Sequence, residues 1–169
     1  MEFILKIIFV LVLVGVAAYI AHIVDIVRSK EGTSDKISFK ESMDLTNLPI
    51  ITLVIDKVKL NFVLDTGSTS SVVDKTVIEG NNISHTHIKN TTLFGLEGEG
   101  KEVCVGNFKA SYKDREYELL ATIKDMSKPF NIIKNNTGVN ISGLLGSDFF
   151  EKYKYIIDFD KLIAYSMCK

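Results

Sequence analysis

Apolar and polar residues alternate along two neighbouring segments of the chain, and this pattern predicts a β-hairpin. Every second residue of 51–55 is a large aliphatic residue, the spacing of a strand with one buried face. The same spacing returns over residues 58–64, after the polar pair Asp56-Lys57, which is typical of a tight turn. A further short strand is predicted over residues 71–73.

Short apolar segments separated by polar turns continue towards the C-terminus. Residues 79–90 and 127–137 are rich in Asn and other polar residues, so loops are predicted there. One short helix is predicted over residues 148–154. Further strands are predicted at 91–94, 101–105, 108–112, 117–123, 155–159 and 162–165. The pattern therefore predicts a mainly β domain over residues 47–169 with one short helix.

The N-terminal segment has a different pattern. No formal charge occurs between Ile7 and Val24, and a helix over this run would span roughly 27 Å, close to the thickness of a bilayer core. A single-pass transmembrane helix is therefore predicted within residues 1–28, which places the protein at a membrane with the side undetermined. A cleaved signal segment is the alternative, since Ala17 and Ala18 would suit a cleavage site. The polar residues 29–46 are predicted to be a juxtamembrane linker.

Charge and composition exclude several kinds of site. The formal net charge is −1, without the basic stripe that nucleic-acid binding requires. His85 and His87 have no third ligand nearby in the sequence, so no metal site is predicted. No cofactor is expected either.

An acidic residue follows directly on the strand predicted at residues 58–64. It opens the turn Asp65-Thr66-Gly67-Ser68. Two carboxyl groups that share one proton can hydrolyse a peptide bond, because one activates water while the other donates a proton. In such a site Gly67 permits close backbone approach, Thr66 can hydrogen-bond to the second turn, and Ser68 can orient the carboxylate. The chain has a single Asp-Thr-Gly motif, so a pair of such turns requires two copies. An ordinary β-turn is the alternative for this tripeptide.

A second motif, Leu144-Leu145-Gly146, is followed by Asp148 at the start of the predicted helix. Taken by itself, this motif has an alternative interpretation, a buried strand with a glycine bulge followed by a capped helix. Together with the Asp-Thr-Gly turn, however, it resembles the retropepsin-like aspartic peptidases, the single-lobe relatives of the pepsins, over about residues 48–165. The resemblance implies a closed β-barrel of the acid-protease fold. It also implies that the second motif packs beside the catalytic turn and that Asp148 supports it.

By the same resemblance, Gly95, Leu96, Glu97 and Gly98 form a flap that closes over a bound peptide, since glycines permit such movement. A plain hairpin turn is the alternative. Glu97 and Glu99 depart from the mainly Gly and Ile flap tips of the viral members, and their negative charge favours basic residues in the substrate.

These features predict a membrane-anchored aspartic endopeptidase that acts on a peptide or protein substrate as a homodimer. Asp65 of each subunit would form the catalytic pair. Two alternatives remain open: a catalytically silent peptide- or partner-binding module of the same fold, and a structural membrane-tethered β-domain in which Asp65 only makes a turn.

Overall fold

The computed structural model describes residues 15–20, 36–94 and 100–166, and the chain divides into two units, Met1–Asp35 and Lys36–Lys169. In the first unit, residues 15–20 are helical. No helix within the described ranges combines the length and apolar character that crossing a bilayer requires. The predicted transmembrane segment, residues 1–28, lies outside the described residues except for 15–20.

The second unit is mainly β, as predicted. Its strands are β1 Lys36–Ser38, β2 Ile50–Ile55, β3 Val58–Leu64, β4 Val72–Asp74, β5 Thr86–Phe94, β6 Gly100–Tyr112, β7 Arg115–Lys124, β8 Gly143–Leu145, β9 Tyr155–Asp158 and β10 Ile163–Ser166. Its helices are α1 Lys40–Thr46, α2 Lys75–Asn81, α3 Ser127–Thr137 and α4 Ser147–Tyr153. The helix predicted at 148–154 is therefore present as α4.

Six strands close into a barrel. They follow the order β2-β3-β8-β4-β7-β6, and β6 returns to β2 where Ile55 lies opposite Ala110. The pairs β3–β8 and β4–β7 are parallel, and the remaining pairs of the ring are antiparallel. Strand β5 extends the sheet beyond β6, and β1, β10 and β9 form a separate three-stranded sheet. The predicted closed β-barrel is thus confirmed.

The β2–β3 hairpin shows how local sequence specifies this barrel. Asp56 and Lys57 have φ values of 49° and 68°, and Ile55 pairs with Val58 across them. A two-residue turn with positive φ at both positions matches the right-handed twist of the flanking strands. The turn predicted at Asp56-Lys57 is confirmed.

The core is formed by side chains from all six strands of the barrel. Removing this apolar surface from water is the main favourable contribution to folding. The largest fully buried side chains within the barrel strands are Leu53, Ile55, Phe62, Val73, Phe108, Leu119 and Leu145.

Part of the predicted linker belongs to the folded unit. Ile37 in β1 and Phe39 before α1 are 2% and 1% exposed, and both join the main core. Strand β1 pairs with β10 in an antiparallel arrangement. Residues 36–46 therefore contain a strand and a helix in the segment for which a linker was predicted.

The prediction of a single helix is wrong, because α1, α2 and α3 are also present. Helix α3 replaces the loop predicted over 127–137. It buries Phe130 against Ile50, Val63 and Ile141 in a second apolar cluster, and this burial outweighs the low helix propensity of its Asn residues.

The prediction of a loop over residues 79–90 is also wrong for most of that segment. Helix α2 runs to Asn81, and β5 begins at Thr86. The carboxylate of Asp74 accepts the Thr76 N–H at 3.0 Å, which satisfies one free donor at the start of α2.

Candidate active site

The Asp65 carboxylate stands at the C-terminal end of β3. There Leu64 lies opposite Leu145 of the parallel strand β8, and the backbone N–H of Asp65 donates to the Leu145 carbonyl at 2.9 Å. Two separate parts of the chain therefore hold the backbone of Asp65. Its side chain is half-buried.

The turn after Asp65 orients its carboxylate. The Gly67 N–H donates to Asp65 Oδ1 at 3.0 Å, and the Ser68 N–H donates to the Asp65 carbonyl at 3.2 Å. Thr66 and Gly67 are exposed. Within the part of the chain that the structure describes, the Thr66 hydroxyl makes no hydrogen bond. The turn thus presents one oriented carboxylate at an open surface.

Gly146 packs directly against this turn. A Cβ at this position would lie 2.6 Å from the carbonyl carbon of Ser70 and 2.9 Å from the Ser68 oxygen. The next residue, Ser147, donates its N–H to the same Ser68 oxygen at 2.8 Å. Glycine is therefore required for the two segments to approach this closely.

A network around Ser71 and Asp148 connects the turn to α4. Asp148 Oδ1 accepts the Ser71 N–H at 2.9 Å and the Ser71 hydroxyl at 2.8 Å. It also accepts the Phe149 N–H at 2.8 Å. In turn, the Ser71 hydroxyl oxygen accepts the Gly146 N–H at 3.0 Å. Hydrogen bonds to an ionised carboxylate are stronger than neutral ones, so this network is well suited to fix the turn.

The structure thus brings together most of the residues that the sequence pointed to. Leu145 is fully buried in the core beneath Asp65, and Leu144 packs against the second apolar cluster. The predicted flap residues Gly95, Leu96, Glu97 and Gly98 lie outside the described residues. Their role stays a prediction.

Ser71 is a site residue that sequence reasoning missed. It is only 1% exposed and joins Gly146 to Asp148. Its partners are about 75 residues further along the chain, so no local pattern could reveal its role. A serine directly before a buried strand was the only available signal.

Two other acidic side chains near the barrel are engaged in structural hydrogen bonds. Asp148 is held by Ser71, as described above. Asp74 is 3% exposed and accepts the backbone N–H groups of Thr76 and Met126 at 3.0 and 3.3 Å. Asp65 is the carboxylate in this region that stands in an exposed turn.

A groove of about 200 Å³ adjoins the turn and opens beside Ser70, Ser71 and Asp148. Its other walls come from β5, β6 and β7. The residues that line it on those strands are Lys89, Val105, Leu120, Ala121 and Thr122.

Comparison with protein-family models finds no match, and comparison with curated proteins finds none either. Among solved structures, the EIAV protease complexed with the inhibitor HBY-793 is similar at 20% identity. The match covers 62% of this chain and 86% of the EIAV protease chain, with a TM-score of 0.46. A retropepsin-like aspartic protease from Rickettsia conorii is similar at 19% identity, covering 69% of this chain and 81% of that chain, with a TM-score of 0.46. At this level of similarity, neither structure assigns an activity to this chain.

Proposed function

We propose that this chain is an aspartic endopeptidase that hydrolyses peptide bonds as a homodimer, with Asp65 of each copy as the catalytic residue. The observation that carries the proposal is the placement of Asp65. Its backbone is held by Leu145, its carboxylate is oriented by Gly67, and the turn around it is open.

The chemistry requires two such turns face to face. Two carboxyl groups a few ångströms apart cannot both ionise at low cost, so the pair retains one proton. The ionised Asp65 takes a proton from water, which attacks the peptide carbonyl. The protonated Asp65 of the other copy donates its proton to the carbonyl oxygen. When the tetrahedral intermediate breaks down, the first Asp65 passes the proton that it took from water to the leaving nitrogen. The second Asp65 takes a proton back from a hydroxyl of the intermediate, which restores the starting pair. In such a pair, the exposed Thr66 hydroxyl of each turn would hydrogen-bond to the other copy.

The N-terminal segment would act as a membrane anchor in this proposal. The uncharged run from Ile7 to Val24 supports it by its length and composition. Two anchored copies diffuse in a plane, and this raises their effective concentration and favours pairing.

The test is made with the full chain in detergent micelles. Wild type, Asp65→Asn and Asp160→Asn are incubated with a diverse peptide mixture from about pH 4 to about pH 7, where a shared-proton pair is active. Cleavage sites are identified by mass spectrometry. Asp160 is an exposed residue in the β9–β10 turn, so its variant controls for the loss of one carboxylate.

We expect wild type and Asp160→Asn to cleave the same peptides, while Asp65→Asn loses at least about 100-fold in rate. The self-association of all three proteins is measured in the same samples. Equal cleavage by Asp65→Asn would reject the proposal. A wild-type dimer without any cleavage would favour the silent binding module instead.

A further inference from the structure

The groove beside the Asp65 turn, here called the Lys89 groove, has an uneven charge distribution. Val105 and Ala121 are buried in it, whereas Leu120 is 46% exposed and forms an apolar wall. Lys89 on β5 is its one cationic residue, and Asp148 its one anionic residue, among the described residues that line it.

The register of the sheet fixes the position of Lys89 relative to the site. Lys89 lies opposite Val105, Val105 opposite Thr122, and Thr122 opposite Val72. Three strand spacings separate Lys89 from Val72, which corresponds to roughly 14 Å. The Thr122 N–H also donates to the Ser71 carbonyl at 2.9 Å. The groove therefore runs from the segment just after the Asp65 turn towards β5, and its length between Val72 and Lys89 is what about four residues of an extended peptide would span.

The charge of Lys89 is available to a ligand. Its side chain is exposed, and among the described residues no carboxylate lies within 4.0 Å of it. Asp148, the acidic group of the same groove, is occupied by hydrogen bonds from Ser71 and Phe149. A free ammonium group beside an apolar wall suits a side chain with an apolar stem and a negatively charged end.

We propose that Lys89 makes this groove select peptides with an acidic side chain, glutamate in particular, at one position on one side of the scissile bond. The methylene groups of the glutamate lie against Leu120, and its carboxylate pairs with Lys89. This inference rests on the proposed function. Because the ion pair is exposed to solvent, a two- to fivefold preference in kcat/KM is expected.

The test uses peptides that the wild-type protein cleaves. In each peptide, every position from the fifth before to the fifth after the cleaved bond is replaced in turn by Glu, Gln or Lys. Glu and Gln have the same shape, so their ratio isolates the effect of charge. The full-length proteins compared are wild type, Lys89→Glu and Lys109→Glu. Lys109 is an exposed lysine on β6 that lines a different groove, so it controls for the change in net charge.

At one of the substituted peptide positions, wild type and Lys109→Glu should cleave the Glu peptide with the highest kcat/KM, the Gln peptide with a lower one and the Lys peptide with the lowest. Lys89→Glu should reverse that order to favour Lys, with other positions unchanged. An unchanged order in Lys89→Glu, or the same reversal in Lys109→Glu, would overturn the inference and leave the peptidase proposal standing.

Peptide affinity tests this inference independently of the proposed function, because it can be measured in a protein that does not cleave. The affinity of Asp65→Asn for fluorescein-labelled Glu and Gln decapeptides from the same mixture is measured by fluorescence polarisation, with and without Lys89→Glu. A Glu preference that depends on Lys89, without cleavage by wild type, would support the groove and reject the peptidase. Absence of both cleavage and binding would overturn both proposals.

Discussion

Ser71 and Asp148 are joined by three hydrogen bonds although they are 77 residues apart in the chain. The Ser71 N–H reaches both carboxylate oxygens, at 2.9 and 3.0 Å, and its hydroxyl reaches Oδ1 at 2.8 Å. This pair fixes the end of the Asp65 turn against the start of α4. The contribution of the Ser71–Asp148 pair to the stability of the fold can be measured by replacing Asp148.

Replacing Asp148 with Ala should lower the free energy of unfolding by about 1–3 kcal/mol, because Ser71 loses its acceptor in a buried position. Urea unfolding followed by tyrosine fluorescence measures the change, since the chain has no tryptophan. The exposed Asp160→Ala is the matched control and should change stability by less than about 0.5 kcal/mol. Equal effects of the two variants would show that the network does not stabilise the fold.

Gly146→Ala should destabilise the protein by about 1–3 kcal/mol, since the new Cβ would overlap the backbone of Ser70. Gly80→Ala is the matched control, because Gly80 lies within α2 and a Cβ there meets nothing within 4 Å. Alanine favours helix over glycine, so this variant should gain up to about 1 kcal/mol. Thermal and urea unfolding of both variants give the comparison. A neutral Gly146→Ala would contradict the close approach described for the site.

Thr66→Ala should leave the stability of the isolated subunit within about 0.5 kcal/mol, because its hydroxyl has no hydrogen bond among the described residues. In the proposed dimer the same change removes a hydrogen bond in each turn, so the dimer dissociation constant should rise by about tenfold. Sedimentation velocity across a range of concentrations measures it. Thr66→Ser should restore dimerisation and Thr69→Ala, an exposed threonine nearby, should not affect it. An unchanged dissociation constant would show that Thr66 does not contribute to the dimer interface.

Asp125 should make the stability of α3 depend on pH. It accepts the Ser127 hydroxyl and N–H at 2.6 and 2.9 Å, and these two bonds hold the pKa of the carboxyl below its usual value of 3.8. A lowered folded-state pKa stabilises the protein above 3.8, and this stabilisation is lost as the pH falls through the folded-state value. Wild type should therefore exceed Asp125→Ala in stability at about pH 6, and the difference should shrink by about pH 3. Urea unfolding at both pH values measures it, and a difference independent of pH would contradict this role.

Local sequence was a good guide where local chemistry decides the structure. The Asp56-Lys57 turn was predictable because two adjacent residues with positive φ are enough to form it. The position of Asp65 at the end of a strand was also predictable, because the apolar residues that alternate before it specify β3 locally.

In the segment of α3, polar composition predicts a loop, whereas the spacing of the apolar residues agrees with the helix that is present. Met126, Phe130 and Ile133 are four and three residues apart, and all three belong to the second apolar cluster. This helical period was present in the sequence and would have predicted the helix. Pro129 does not oppose it, since it stands in the first turn, where its missing N–H needs no partner.

The Ser71–Asp148 pair could not be predicted, because it depends on the closure of the barrel. Only the order of the strands β3, β8 and β4 brings the two residues together. The same order explains why Gly146 is restricted to glycine, a requirement that the backbone of Ser68 and Ser70 imposes from far along the chain.

The hydrogen bond from Asp65 to Leu145 has a consequence for how the protein is made. A ribosome synthesises Asp65, Ser71 and most of the barrel before it adds Leu145, Gly146 and Asp148. Until those residues emerge, β8 is missing between β3 and β4, and the Asp65 turn has neither its backbone acceptor nor its network. Leu145 to Asp148 lie within the last third of the unit Lys36–Lys169, so the nascent chain cannot assemble the site until that part has emerged.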